Sequence, residues 1–253
     1  MADRPREPAI CVQASDFSET SQVAQFLTRG CGIVHVLAKG SKRAKSPTGG
    51  RLDLLAEGEL VFIPPRREGL GTLVEFTPAT LHSPLRRRLA ELNAALYMVE
   101  IVRMLLAEAD PHPRAFDLLS AALGRLERED APVQAVLAYF QWRLLSQVGL
   151  LGEMSVCVGC GGQVGRRAQF TSKEGGLLCR NCEGSWTEKR LVGPNALAGI
   201  QALRAMNAGS PRRVVLTEVQ AAAVNELLGY HIGYQAGRPP RMLRHVRPAK
   251  PGA

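Results

Sequence analysis

The chain has 253 residues, with 32 Lys and Arg against 23 Asp and Glu, a formal net charge of +9. A 45% hydrophobic content supports real cores and gives room for two small domains. No apolar run reaches the eighteen residues of a membrane-spanning helix. The opening MADRPREPAI has no stretch of signal-peptide length, so a cytoplasmic, reducing setting is expected.

The first eighty residues read as β structure. AICVQA (9–14) is a short apolar run, and residues 15–20 have turn character. VAQFLT (23–28) and CGIVHVLAK (31–39) follow, joined at Arg29 and Gly30 by a tight hairpin turn. GSKRAKSPTGG (40–50) is a loop without a hydrophobic anchor. LVFIP (60–64) and TLVEF (72–76) complete five strands, and a five-stranded OB-fold barrel over residues 1–81 is the economical arrangement. Cys11 and Cys31 fall in these strands as buried, inert thiols. Phe17, Phe26, Phe62 and Phe76 lie in or near the strands, and for most of them core packing is the expected role.

The pattern then turns helical. Ser83 is a good N-cap, with Pro84 at the first helical position. Leu85, Leu89, Leu92, Leu96 and Val99 share one face of a helix expected to run to about Ala109. Phe116, Leu119, Leu123 and Leu126 mark a second helix, and Pro132 opens a third that ends at Gly149. Another is expected from Pro194 to about Met206. Thr217 with Gln220 forms a capping box for a last helix through about Tyr230. The segment from Gly237 onward, rich in Pro and Arg, is expected to fray. The layout is α+β and multidomain: the barrel, then a helical domain over 82–253 with an insertion at 153–190 and a basic tail at 237–253.

That insertion carries Cys157 and Cys160, then Cys179 and Cys182, two C-x-x-C pairs with the spacing of a structural zinc ribbon. Gly159, Gly161 and Gly162 supply the turn conformations that let paired thiolates grip one ion. Four thiolates close the shell, leaving no position for a reacting water, so one structural Zn2+ is expected. Two disulfides are the rival reading, and nothing marks the chain for an oxidising compartment.

The positive charge is localised. Lys39, Lys42, Arg43, Lys45 and Arg51 have no acid among them, and Arg238, Arg241, Arg244, Arg247 and Lys250 form a second acid-free series. Without these ten, 22 basic residues face 23 acidic ones, so two segments carry the whole excess. Localised charge of this kind is the electrostatic footprint of a polyanion binder. Lys39, Lys42, Arg43, Lys45 and Arg51, with Arg241 and Arg244 of the tail, are the candidate phosphate contacts. Flexible cations on a glycine-flanked loop follow a backbone without fixing sequence, so salt-dependent, sequence-independent DNA binding is expected. Arg166, Arg167 and Arg180 on the ribbon either touch DNA or form a solvated rim, the rim being slightly favoured.

A catalytic constellation is missing from the sequence. His35 sits between apolar neighbours in a strand, and His82, His112, His231 and His245 lack metal-motif context. No Walker loop and no paired acidic motif occur, which favours a binding protein over an enzyme. A zinc-ribbon adaptor whose target is another protein is the alternative, and it predicts weak, salt-insensitive DNA binding.

Ser18, Glu19, Thr20 and Ser21 leading to Phe26, Leu27 and Thr28, then the run from Ala38 to Arg43 with Lys45 and Ser46, resemble the N-terminal barrel of the RecO family of bacterial DNA-repair mediators. The C-x-x-C-G at Cys157, Phe170, the pair Gly175 and Gly176, the closing C-x-x-C, and Tyr230 to Gly233 before basic residues resemble its later part. The tail, with Arg238, Pro239, Pro240 and Arg241, departs from the family's pattern. The resemblance implies a mediator that binds single- and double-stranded DNA and anneals complementary strands. It also implies work with RecR, contact with the C-terminal tail of single-strand-binding protein, and an indirect role in loading RecA, in a cytoplasmic, nucleoid-associated setting. By position it implies DNA contacts at Lys39, Lys42, Arg43 and Lys45 and zinc ligands at the four cysteines.

Overall fold

Alternation of apolar and polar residues builds the first strands. In the computed structural model, which describes residues 6–43, 46, 50–67, 69–165, 167–207 and 215–247, β1 spans Arg6–Asp16, β2 Gln22–Thr28, β3 Gly32–Ala38, β4 Glu57–Ile63 and β5 Gly71–Thr80. They close into an OB-like barrel in the order β1-β2-β3-β5-β4. The closing pair is the short parallel one, Val36 beside Gly71 and Leu37 beside Thr72, and all the other ladders are antiparallel. Every second side chain points inward, so Ala9, Cys11, Ala24, Phe26, Val36, Ala38, Leu60, Phe62, Leu73 and Phe76 form the barrel core. Burial pushes the Cys11 thiol up to about 12, as expected of an inert core cysteine, and Cys31 packs partly buried against the same cluster.

Helix α1 covers Leu89–Leu105, α2 Pro113–Leu126, α3 Val133–Gln147, α4 Pro194–Asn207, α5 Glu218–Gln235 and α6 Leu243–Val246. The expected N-cap at Ser83 is displaced: a 3-10 turn occupies Ser83–Arg87, capped at His82 in the left-handed region, and α1 begins only at Leu89. The helix also stops at Leu105, short of Ala109. The capping box is formed as expected, with Thr217 Oγ1 accepting from Gln220 N and Gln220 Oε1 accepting from Thr217 N. Its helix runs on to Gln235, past Tyr230.

By contact the chain forms two compact units, Met1–Ala95 with Val102–Glu127 and Leu96–Ile101 with Arg128–Ala253. The first unit holds the barrel and α2. Arg29 at the β2–β3 turn reaches Asp117 of α2 with Nε at 2.9 Å and Nη2 at 3.1 Å, and Ser120 Oγ donates to Glu57 at 2.7 Å.

The second unit holds α3 to α6 and the insertion, whose strands β6 (Ala168–Thr171), β7 (Gly176–Leu178) and β8 (Arg190–Val192) form a sheet in the order β7-β6-β8. Its core is threaded by a polar chain. Tyr97 Oη donates to Gln141, Gln141 Nε2 to Asn225, Asn225 Nδ2 to Gln134, and Gln134 Nε2 to the Val246 carbonyl, all at 2.8–3.0 Å. Each buried amide thereby has a partner, which removes the cost of its desolvation.

Candidate nucleic-acid interface and metal centre

The β3–β4 loop that carries the first basic series is gripped at both feet by one buried amide. Gln22 at the start of β2 is 2% exposed. Its Oε1 accepts from Leu52 N at 2.9 Å and from Ser41 Oγ at 3.1 Å, and its Nε2 donates to Leu52 O at 3.3 Å. Further bonds tie the same loop to the β1–β2 turn: Lys42 N donates to Thr20 O at 3.0 Å and Gly40 N to Ser21 Oγ at 3.3 Å. The loop therefore leaves the barrel from a fixed base.

On that base the cations divide into two kinds. Lys39 and Arg43 are exposed, with no carboxylate at ion-pair distance among the described residues. Lys42 is held, its Nζ donating to Asp16 Oδ2 at 2.9 Å and to Ser18 O at 3.2 Å. Arg51 also reaches Asp16, at 3.3 Å, yet its side chain stays 61% exposed. The Lys42 ammonium, with Arg51 beside it, holds the Asp16 carboxyl below the usual carboxylate range. Lys45 lies outside the described residues. Proximity along the chain hid Asp16, because it acts on the loop from the far end of β1.

The insertion brings Cys157, Cys160, Cys179 and Cys182 together, with all four Sγ atoms within 4.8 Å of one another. A tetrahedral shell with metal–sulfur bonds of about 2.3 Å needs sulfurs about 3.8 Å apart. The Cys160 and Cys179 sulfurs are 3.8 Å apart, so the set can hold a metal ion. The backbone supports this chemistry. Burial pushes the Cys157 thiol up, but N–H groups of Cys179 at 3.3 Å and Gly159 at 3.4 Å donate to its sulfur, and the balance brings it down to about 6. Hydrogen bonding to Cys160 and Cys179 pushes Cys182 up to about 12. A Cβ at Gly159 would lie 3.3 Å from Cys182 Sγ, so a side chain there would crowd the sulfurs.

Two family models match the chain: Recombination protein O N terminal over residues 1–81 and Recombination protein O C terminal over 86–244. The chain belongs to the RecO family. Relatives include proteins called DNA repair protein RecO from Rhodopirellula baltica, 32% identical over 77% of this chain and 73% of the relative, and from Geobacter metallireducens, 34% identical over 76% and 77%. Another, from Myxococcus xanthus, is 28% identical over 91% of this chain and 93% of the relative.

In this RecO-family protein the ribbon is seated on α5. Glu188 accepts from Thr171 Oγ1, Ser172 N and Lys173 N, and its other oxygen accepts from Tyr230 Oη at 3.3 Å. Arg190 pairs with Glu226 at 2.6 Å and lies over the Tyr230 ring at 5.0 Å. His231, fully buried, meets the Leu150 carbonyl at 2.7 Å and packs edge-on to Phe170. It is a core histidine whose charged form burial disfavours. Arg167 and Arg180 are exposed on the ribbon, and Arg166 lies outside the described residues.

The tail departs from the expected fraying as far as Arg247. Glu100 accepts from Arg241 N at 2.7 Å and Met242 N at 2.8 Å, and α6 buries Val246. Gly229 and Gly233 of α5 make room, since a Cβ on them would meet Leu243 at 2.7 Å and Pro239 at 3.2 Å. Arg238, Arg241, Arg244 and Arg247 are exposed on this folded segment, while Lys250 lies outside the described residues. Of the remaining histidines, His35 meets Glu108 at 3.2 Å at a groove of about 670 Å³ beside β3, and His82 is buried between two acids. Among the described residues, no helix is long and apolar enough to cross a membrane.

Proposed function

We propose that this protein is a DNA repair and recombination mediator that binds single- and double-stranded DNA without sequence preference and anneals complementary strands. The observation that carries the reading is the set of exposed cations Lys39, Arg43 and Arg51 raised on a fixed base at one end of an OB-like barrel. OB barrels suit polyanionic strands, and cations of this kind contact phosphates rather than base edges. The second series, with Arg241 and Arg244, gives a separate basic surface. Two complementary strands repel through their phosphates, and a protein with two basic surfaces screens that repulsion while it holds both. No bond is made or broken, so the activity asks for no nucleophile.

The family relationship supports the wider setting. In this reading the protein acts with RecR, contacts the C-terminal tail of single-strand-binding protein, and helps RecA load onto coated DNA in the cytoplasm, at the nucleoid. Zn2+ is the metal that fits the four thiolates. Cys157, Cys160, Cys179 and Cys182 would hold it in a closed shell, and it would supply structure to the ribbon.

The test is a titration of labelled single strand and duplex at two salt concentrations, with annealing rates measured beside it. Affinity is expected to fall steeply as salt rises, by roughly 0.7–0.9 in the log–log slope for each phosphate contact. Changing Lys39, Lys42, Arg43 and Lys45 together to Ala is expected to slow annealing at low salt at least tenfold. Annealing as fast as the parent would overturn the assignment of the loop.

A further inference from the structure

We propose that Phe17 is a stacking platform for an unpaired base, which makes this end of the barrel favour single-stranded over duplex DNA. The inference rests on the reading of the basic loop as a DNA contact and assigns that surface its strand preference.

Seven phenylalanines occur in the chain, and six of them are core: Phe26, Phe62, Phe76, Phe116, Phe140 and Phe170 are each at most 5% exposed. Phe17 is 64% exposed. The backbone that carries it is fixed. Phe17 N donates to Ser21 O at 2.9 Å and Ser18 N to the same carbonyl at 3.2 Å. Ser18 Oγ accepts from Thr20 N at 3.4 Å and Ser21 N at 3.2 Å, which tightens the turn from inside. The carbonyls of Thr20 and Ser18 then accept from Lys42, through its N–H and its ammonium. The ring thus stands on a turn bonded to the cationic loop, one residue after the carboxylate that engages both Lys42 and Arg51.

An isolated exposed apolar side chain is ordinary on a protein surface. An exposed aromatic ring on an ordered turn, bonded to a loop with exposed cations, is the arrangement that single-strand binding uses, with cations tracking the backbone and a ring face receiving a base. The β1–β2 turn of an OB barrel is also one of the loops through which such barrels bind oligonucleotides. Because the backbone of the turn is already ordered, little conformational freedom is lost on binding. Phenylalanine offers no hydrogen-bonding atom to a base edge, so the contact is indifferent to sequence. A base within a duplex has its faces covered by its neighbours and cannot use the ring. The cations serve both forms of DNA, whereas Phe17 serves only the single strand.

The experiment compares the whole protein with Phe17→Ala, Phe17→Trp and a Lys39→Ala/Arg43→Ala variant, each titrated with an oligothymidylate and with a blunt duplex of the same length. Phe17→Ala is expected to lose roughly 5- to 150-fold in single-strand affinity, the range for removing one stacked base, and to keep duplex affinity within about twofold. Phe17→Trp is expected to retain single-strand affinity, with added indole fluorescence that the single strand quenches and the duplex does not. Equal losses on both forms would reduce Phe17 to a support for the loop and overturn the proposal, as would no loss on either. If Phe17→Ala matches the parent while the Lys39/Arg43 variant weakens on both forms, stacking fails and the DNA reading stands. If the parent binds neither form, both fail.

Discussion

Lys42 Nζ lies 2.9 Å from Asp16 Oδ2, so a cation that looks free in the sequence is engaged by an acid from the end of β1. Arg51 shares that acid at 3.3 Å. The pair sets Lys42 apart from Lys39 and Arg43, which face solvent. A phosphate approaching this surface meets the exposed Lys39 and Arg43 and also the negative charge of Asp16.

Replacing Asp16 with Asn keeps a polar group of the same shape and removes that negative charge. Single-strand affinity is expected to rise roughly threefold or more at about 0.05 M salt, and the gain is expected to shrink towards nothing at about 0.5 M, where the Debye length is only a few ångströms. Fluorescence anisotropy with a labelled oligonucleotide reads both conditions. Weaker binding at low salt would mean that holding Lys42 in place matters more than the charge Asp16 cancels.

Gln22 supports the same surface from below. Gln22→Ala would leave Leu52 N and Ser41 Oγ in buried positions without their acceptor. One or two orphaned buried groups cost about 2–3 kcal/mol, which for a unit of this size lowers Tm by on the order of 5–10 °C. Thermal unfolding by circular dichroism measures this, and DNA affinity is expected to fall with it because the loop loses its fixed feet. An unchanged Tm would show that water replaces the amide.

The strands and the cysteine pairs were legible because their signals are local. Period-two alternation with a hairpin turn at Arg29 and Gly30 specifies β2 and β3, and the two C-x-x-C knuckles specify a four-thiol cluster at any separation that lets them meet. What was not legible depends on partners distant in the chain. Glu100 holds the backbone of Arg241 across 141 residues, which turns an apparently fraying Pro- and Arg-rich tail into a folded segment. Asp16 meets Lys42 across 26 residues, so counting charges along the loop overstates the free ones. Phe17 reads like the other barrel phenylalanines, since hydrophobic pattern gives a ring but not which side of a turn it leaves from. His82 takes the cap position from Ser83, its carbonyl accepting from Leu85 N, while two acids, Glu57 and Glu127, converge on its side chain from other elements.

The thiol cluster predicts one tightly held metal ion per chain, measurable by native mass spectrometry and metal analysis. Stripping it, or changing Cys179 and Cys182 to Ser, is expected to open residues 153–190 to proteolysis and lower Tm. DNA affinity at low salt is expected to stay within about twofold, since the basic loop belongs to the barrel. Gly159→Val is expected to lose the metal as well, because its side chain would press on Cys182. A large loss of DNA affinity on metal removal would place the ribbon in the interface.

His82 gives the first unit a pH-dependent element. Its side chain is 4% exposed, with Nδ1 3.1 Å from Glu127 and Nε2 3.5 Å from Glu57. Neither contact has hydrogen-bond geometry, so the three groups interact as charges. Burial alone would disfavour the imidazolium, but the two carboxylates outweigh it and raise the His82 pKa above its ordinary 6.5. His82 in turn lowers that of Glu57, to which Ser120 also donates. The raised histidine contributes stability that is fully present below its unfolded pKa and is lost as pH rises through the folded value. The depressed Glu57 contributes stability present above its unfolded pKa of 4.5 and lost as pH falls through the folded value. The cluster is therefore most stabilising between about pH 4.5 and 6.5. His82→Asn, which tolerates the left-handed backbone at this position, is expected to cost more stability near pH 5.5 than near pH 8.5. Urea unfolding of both proteins across that range measures the difference. A gap that stays constant with pH would show that His82 is neutral in the fold and that the two acids do not hold its proton.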